Sequence, residues 1–330
     1  MTDHSETIPE RPREPLDRVA YGSWALQKLI AELRDPDPLT RQRSLTALCD
    51  IAHDPKKTYQ AVRYGCLEQL KLLLRDSESS IRCMTTELLF LLVAHSVGRE
   101  AFLCCDVLSP LAELMDEPLH ACKLNVHRNL NRLANFPSGA LSIVSLGLLP
   151  RLVAKVSEEE DEGVQILVLS TIGLCLRVDA LPALACNGVC VLGQQLSGKP
   201  SLEIRRAALA ALLAISVPRA GKERVCDEGL LPVLVGLLSD PDPEVQANTA
   251  GKLQALSAGA LAPLLLLVSS GERAVCLNSL RALAALAEAP GGRRQLLEHV
   301  QVLSGRAGPQ EDPAIRRAAQ SALQVVTWTP

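Results

Sequence analysis

Apolar residues along this chain fall into short runs of Leu, Val, Ala and Ile, each closed by a small polar or acidic interruption. Within the runs the apolar positions recur at helical steps, the signature of an amphipathic α-helix with one buried stripe. The clearest copy spans 244–256, where Val245, Ala250, Leu253 and Leu256 are expected to face inward together. Asp-Pro-Asp-Pro at 240–243 precedes it, giving a capping carboxylate and then a proline where a missing N–H costs nothing. The same tetrapeptide at 35–38 precedes a long helix over 41–52, and counterparts begin near Ile81, Cys122, Val164 and Ile204.

The interruptions keep time. Those ending at Asp35, Asp76, Asp116, Glu158, Gly198 and Asp240 follow one another at 41, 40, 42, 40 and 42 residues. Between the long helices the pattern predicts a shorter, glycine-led helix at Gly98, Gly139 and Gly221, which then runs into Gly-Leu-Leu-Pro at 147–150 and 229–232. There glycine ends one helix and proline starts the next. From Asp240 to the next interruption at Ser270 is only 30 residues, so the short helix is expected to be missing, with a direct junction between Ser257 and Gly259. At the ends, a lone helix over 21–33 is expected to lid the array with Trp24 as its anchor. A terminal helix over 315–326 follows a loop at 304–312 and turns Arg316, Arg317 and Gln320 to solvent.

Composition narrows the function classes. Three Phe, two Trp and three Tyr leave a core of aliphatic side chains, which suits small helices in layers and disfavours a sheet. A net charge of -3 gives no concentrated positive face for a phosphate backbone, so no nucleic-acid partner is expected. The eleven cysteines are odd in number, lack a Cys-x-x-Cys pair and lie mostly in apolar runs, as reduced thiols in a core do. Cys186 and Cys190, four apart, are read as buried thiols on one helix face rather than a metal pair. The polar, proline-punctuated residues 1–17 are expected to form a disordered tail, and the longest apolar runs fall short of a membrane span.

Catalytic spacing is missing too. None of the six histidines forms His-x-x-x-His or His-Glu-x-x-His, and there is no Gly-x-Ser-x-Gly or phosphate loop. His53 and His95 stand where a histidine caps the last carbonyls of a helix. The acidic run 158–162 is expected to be an exposed loop, folding over only against basic groups. No enzyme, cofactor, metal or small-molecule substrate is expected.

Three helices per period of about 41 residues resemble the armadillo repeat. The resemblance implies an all-α, right-handed superhelical solenoid of about seven repeats over 18–330, with a shortened repeat near 258–289. In peptide-binding armadillo proteins the long third helix carries an asparagine and a tryptophan at fixed positions on the concave face. Stepping by 41 puts the asparagine position at Asp50, Leu91, Arg132, Gly173, Ala214 and Ala255, and the tryptophan position at Thr46, Glu87, Arg128, Leu169, Ala210 and Gly251. Neither residue type occurs there, which argues against an extended basic transport signal as ligand. The face is expected to be small and apolar from Ala210 to Ala255 and basic around Lys123, Arg128 and Arg132. Those three and Glu87 are the candidate protein-binding residues.

More specific strings are 20–22 (Ala-Tyr-Gly), 48–50 with 53–55, 286–290 and above all His95-Ser-Val-Gly-Arg-Glu-Ala-Phe102. They resemble the radial spoke head fourteen homologues, armadillo-type components of ciliary and flagellar axonemes. The resemblance implies a non-enzymatic radial spoke component, in the cytoplasm and cytoskeleton of a motile cilium or sperm flagellum, bound to other spoke proteins and to no membrane. The competing expectation is a cytoplasmic armadillo adaptor unrelated to the axoneme.

Overall fold

Every regular element in the computed structural model of this chain is an α-helix among the described residues, which are 23–328 except 199, 239, 243, 247, 250–256, 270 and 272. They divide into two compact units, Met1–Val107 and Leu108–Pro330. The tail expected over 1–17 lies outside the described residues.

In the first unit, long helices Pro38–Ile51 and Ser79–Leu92 pack side by side. Asp37 caps the first through the N–H groups of Leu39 and Thr40, with Pro38 in the first turn. Helix Ser23–Glu32 covers the end with Leu26, Leu29 and Ile30 buried, while Trp24 is 81% exposed. The expectation of Trp24 as a lid anchor is therefore wrong, because it lies on the face opposite those aliphatic residues.

Five repeats join their two shorter helices through one residue in the left-handed region, whereas the last does so through Glu298 and His299 at negative φ. The left-handed residues are Gly65 and Asp106 in the first unit, and Gly147, Asn187 and Gly229 in the second, at φ between 50° and 77°. The row keeps the period of about 41 residues, and Asp and Asn are the non-glycine types that tolerate this conformation best.

A second glycine row has another cause. The short helices begin two residues before the expected glycines, at Ser96, Pro137 and Arg219, and again at Pro290. Gly98, Gly139, Gly221 and Gly292 are thus third in their helices, pressed on the end of the preceding long helix. A Cβ would stand 2.0 Å from the Leu92 carbonyl oxygen at Gly98 and 2.2 Å from that of Leu286 at Gly292.

A polar side chain just inside several long helices donates back to a carbonyl of its own interruption: Arg41 to Asp35, Arg82 to Asp76, Gln165 to Val156, Arg205 to Pro200 and Gln246 to Asp240. Links to the next interruption tie neighbouring repeats together, with Arg41 3.0 Å from Asp76, Lys123 2.8 Å from Glu159 and Arg205 2.7 Å from Asp240. At Gln165 that link is a neutral amide pair with Gln195, 3.0 Å. Breaking a part-buried pair leaves its partner's charge unmatched. Arg205→Ala is expected to cost about 2 kcal/mol in urea unfolding, and a loss below about 0.5 kcal/mol would show the rung to be dispensable.

In the second unit the long helices are His120–Ala134, Glu162–Leu176, Leu202–Ile215, Arg273–Glu288 and Pro313–Thr327, and residues 244–246 and 248–249 are helical as well. Val245 is fully buried, as its period requires. The expected inward positions Ala250, Leu253 and Leu256 lie outside the described residues. Helix Ser257–Val268 runs unbroken, but the expected junction depends on 250–256 and also falls outside them. The last helix buries Ile315, Ala319, Ala322 and Val326 and exposes Arg317 and Gln320. Cys186 and Cys190 do not share a helix: Cys186 ends Leu181–Ala185, and Cys190 lies in Gly188–Gln194 beyond the turn at Asn187.

Candidate protein-interaction face

Three consecutive long helices of the second unit, His120–Ala134, Glu162–Leu176 and Leu202–Ile215, form a lateral layer. Asn131 donates to the Thr171 hydroxyl at 3.3 Å between the first two. Gly173 faces Ala211 of the third helix, where a Cβ would stand at contact distance, 3.4 Å from the Ala211 Cα.

Burial fixes the register. Cys122, Val126, Leu130 and Leu133 are matched by Val164, Val168, Ile172 and Cys175, then by Ile204, Ala208, Leu212 and Ile215, all buried. The steps are therefore 42 and then 40 residues. A constant step of 41 slips by one in the middle helix. Leu169 is fully buried and Gly173 packs against the next helix, so the outward equivalents of Arg128 and Arg132 are Ser170 and Leu174. The slip comes from one extra residue between Asp116 and Glu158.

The candidate residues separate into different roles. Arg128 is exposed, and Arg132 is half-buried one turn further on. Lys123 is not available to a partner in this conformation, because its ammonium sits 2.8 Å from a carboxylate oxygen of Glu159. Glu87 is exposed on a long helix of the first unit, where Asp50 is exposed as well. Burial, with Glu87 and Asp50 adding to it, pushes the Cys49 thiol up to about 12. Ala255 and Gly251 lie outside the described residues.

Beneath Arg128 lies a polar cluster that periodicity did not announce. His127 is buried, with Nε2 3.2 Å from the Met115 carbonyl oxygen. Lys155 reaches Asp116 at 2.6 Å and Glu159 at 3.1 Å. Burial pulls the His127 imidazole down to about 4, with Lys155 assisting. Burial alone would raise Glu159, yet Lys123, the Asp161 N–H and Lys155 together hold it at about 2. One sequence signal was present: Lys155 occupies an apolar step of Leu148–Glu158, between buried Leu152 and Val156.

The acidic run 158–162 is only in part the exposed loop expected of it. Glu158 ends one helix, Asp161 caps the next through the Val164 N–H, and Glu159 folds inward onto two lysines. Of the two histidines expected to cap helices, His95 places Nε2 3.3 Å from the Ala52 carbonyl, at the end of the preceding repeat's long helix. His53 is exposed and makes no hydrogen bond to a described residue, so that expectation fails. Among the described residues no cluster of His, Cys, Asp and Glu has the make-up of a metal site, and no single helix is long and apolar enough to cross a membrane.

Comparison with known proteins agrees with this geometry. The profile of the armadillo/beta-catenin-like repeat matches residues 218–254. Radial spoke protein 14 of Chlamydomonas reinhardtii is 27% identical over 355 aligned positions, covering 97% of this chain and 90% of that protein. An engineered protein solved by crystallography superposes with a TM-score of 0.69 at 23% identity, covering 93% of this chain and 79% of its own. A designed armadillo repeat protein in complex with the peptide (KR)4 superposes with a TM-score of 0.64 at 21% identity, covering 70% of this chain and 99% of its own. The fold is all-α, of the armadillo-type superhelical repeat class. Residues 218–254 thus match one armadillo repeat within an armadillo-type fold, and the chain as a whole is distantly similar to an algal radial spoke protein.

Proposed function

We propose that this protein is a non-enzymatic structural component of the axonemal radial spoke, binding other spoke proteins and supporting the motility of cilia and sperm flagella. The observation that carries the reading is the end-to-end alignment with radial spoke protein 14, which covers 97% of this chain and 90% of that protein. A shared repeat fold alone would align in any register, whereas this match runs through the whole array. The partners are then other proteins of a large axonemal assembly, held through side chains on repeated helices, and the location is the axoneme of a cilium or flagellum.

The test is to express the tagged chain in ciliated cells, extract axonemes and fractionate the spokes. Co-migration with spoke proteins, together with impaired beating when the chain is depleted, is the expected result. Recovery only in the cytoplasm, with normal beating after depletion, would overturn the assignment and favour an adaptor unrelated to the axoneme.

A further inference from the structure

Short helix Pro55–Arg63 of the first unit buries Thr58 and Ala61. Lys56, Tyr59, Gln60 and Arg63 are exposed, and their three- and four-residue steps place them in one stripe along its outer side. Tyr59 is 47% exposed, and Tyr64 at the helix end 38%. No acidic residue occurs from 55 to 67. Among the described residues none of Lys56, Lys57 and Arg63 is paired with a carboxylate. The flanking acids are engaged elsewhere. Asp54 accepts from the Lys56 N–H at 2.8 Å, and Glu68 accepts from the Cys105 thiol at 3.3 Å. The corresponding short helix Arg219–Asp227 is arranged differently, with Arg219 2.7 Å from Glu223 and Arg224 3.6 Å from Glu228.

Arg63 is held in place without being neutralised. Its Nη1 donates to the Tyr59 hydroxyl at 3.2 Å, and its guanidinium lies 5.9 Å from the centre of that ring. One N–H is used there, and the rest of the planar fork is open to a carboxylate. A side chain already held in one pose loses less freedom on binding than a free one. Tyr and Arg are also the residue types in which interface binding energy concentrates. Lys56 stands seven residues away, about 10 Å along the axis, with Tyr59 between the two cations. The stripe is too short to follow a phosphate backbone, and Arg63 covers one face of Tyr59 against a stacking base. It has no aliphatic side chain to enter a bilayer.

We propose that this stripe binds an acidic segment of a partner protein, with carboxylates on Lys56 and Arg63 and an apolar side chain between them on Tyr59. In an extended segment the two carboxylates would stand about three residues apart. To test it, the full chain is expressed in ciliated cells with a photo-crosslinking amino acid in place of Gln60, in the middle of the stripe, and the adduct is sequenced by mass spectrometry. The expected adduct is a net-negative protein segment with carboxylates at that spacing. It should fall about tenfold or more in the variant combining Lys56→Glu and Arg63→Glu, with the helical circular dichroism unchanged. A basic or neutral segment, a second copy of this chain, a nucleic acid, a lipid, or no adduct above that of the same group at exposed Gln320 would overturn the proposal. So would an acidic adduct that the double variant leaves at the wild-type level. Failure here is separate from failure of the spoke reading, which is judged by co-migration with spoke proteins and not by the segment crosslinked at position 60.

Discussion

Gly292→Ala is expected to destabilise the fold by about 2–3 kcal/mol, whereas Gly291→Ala, one residue away in the same helix, is expected to be neutral or stabilising by up to about 1 kcal/mol. Alanine is ordinarily the better residue in a helix interior, so the sign at each site reports what surrounds the new methyl group. At Gly292 the Cβ would stand 2.2 Å from the Leu286 carbonyl oxygen, a backbone atom that moves only if the end of helix Arg273–Glu288 moves with it. At Gly291 nothing lies within 4 Å. Thermal or chemical unfolding of the two variants decides the matter, and equal shifts would show that the short helix slides freely on the long one. The same collision is built in at Gly98, where the Leu92 carbonyl oxygen would be 2.0 Å from a Cβ.

Stability should also fall as the solution is acidified below pH 6.5. Buried His127 is held down to about 4, against an ordinary value of 6.5. Between those values the unfolded chain takes up a proton that the folded chain refuses, so stability rises with pH across the window and is lost as pH falls toward 4. The full difference corresponds to about 3 kcal/mol. Glu159, held at about 2, acts in a lower window: its contribution is present above the ordinary carboxylate range and disappears on titration toward 2. Hydrogen exchange of the amides in His120–Ala134, followed from pH 7 to pH 4, reads the local stability. His127→Gln keeps a donor for the Met115 carbonyl but has no proton to gain, and should flatten the upper window. A variant profile as steep as the wild type would place the acid sensitivity elsewhere.

The helices were legible in the sequence because their signals are local. Asp37 and Pro38 mark a helix start wherever they fall, and the apolar stripe from Cys122 to Leu133 needs no knowledge of its neighbours. Register between repeats was less legible. One extra residue before Glu158 turned Leu169 inward and Ser170 outward, a change that a fixed step of 41 cannot register. Side chains whose partners lie a full repeat away were least legible. Lys123 reads as a free surface cation until Glu159, 36 residues on, is seen folded against it. Trp24 misled for a related reason: its size suggested an anchor, but the helical phase set by Leu26 and Ile30 turned it to solvent. Arg128 and Arg132 were found from position alone, and the charge of their surroundings became visible only once the three helices could be laid side by side.

The neutral Gln165–Gln195 rung answers to salt differently from its neighbours. Where Arg205 and Asp240 add an ionic link to the packing of adjacent repeats, these two glutamines add an amide hydrogen bond. Such a bond is indifferent to ionic strength. Raised salt should therefore loosen the rungs of this array unevenly, with the glutamine rung the one that keeps its strength.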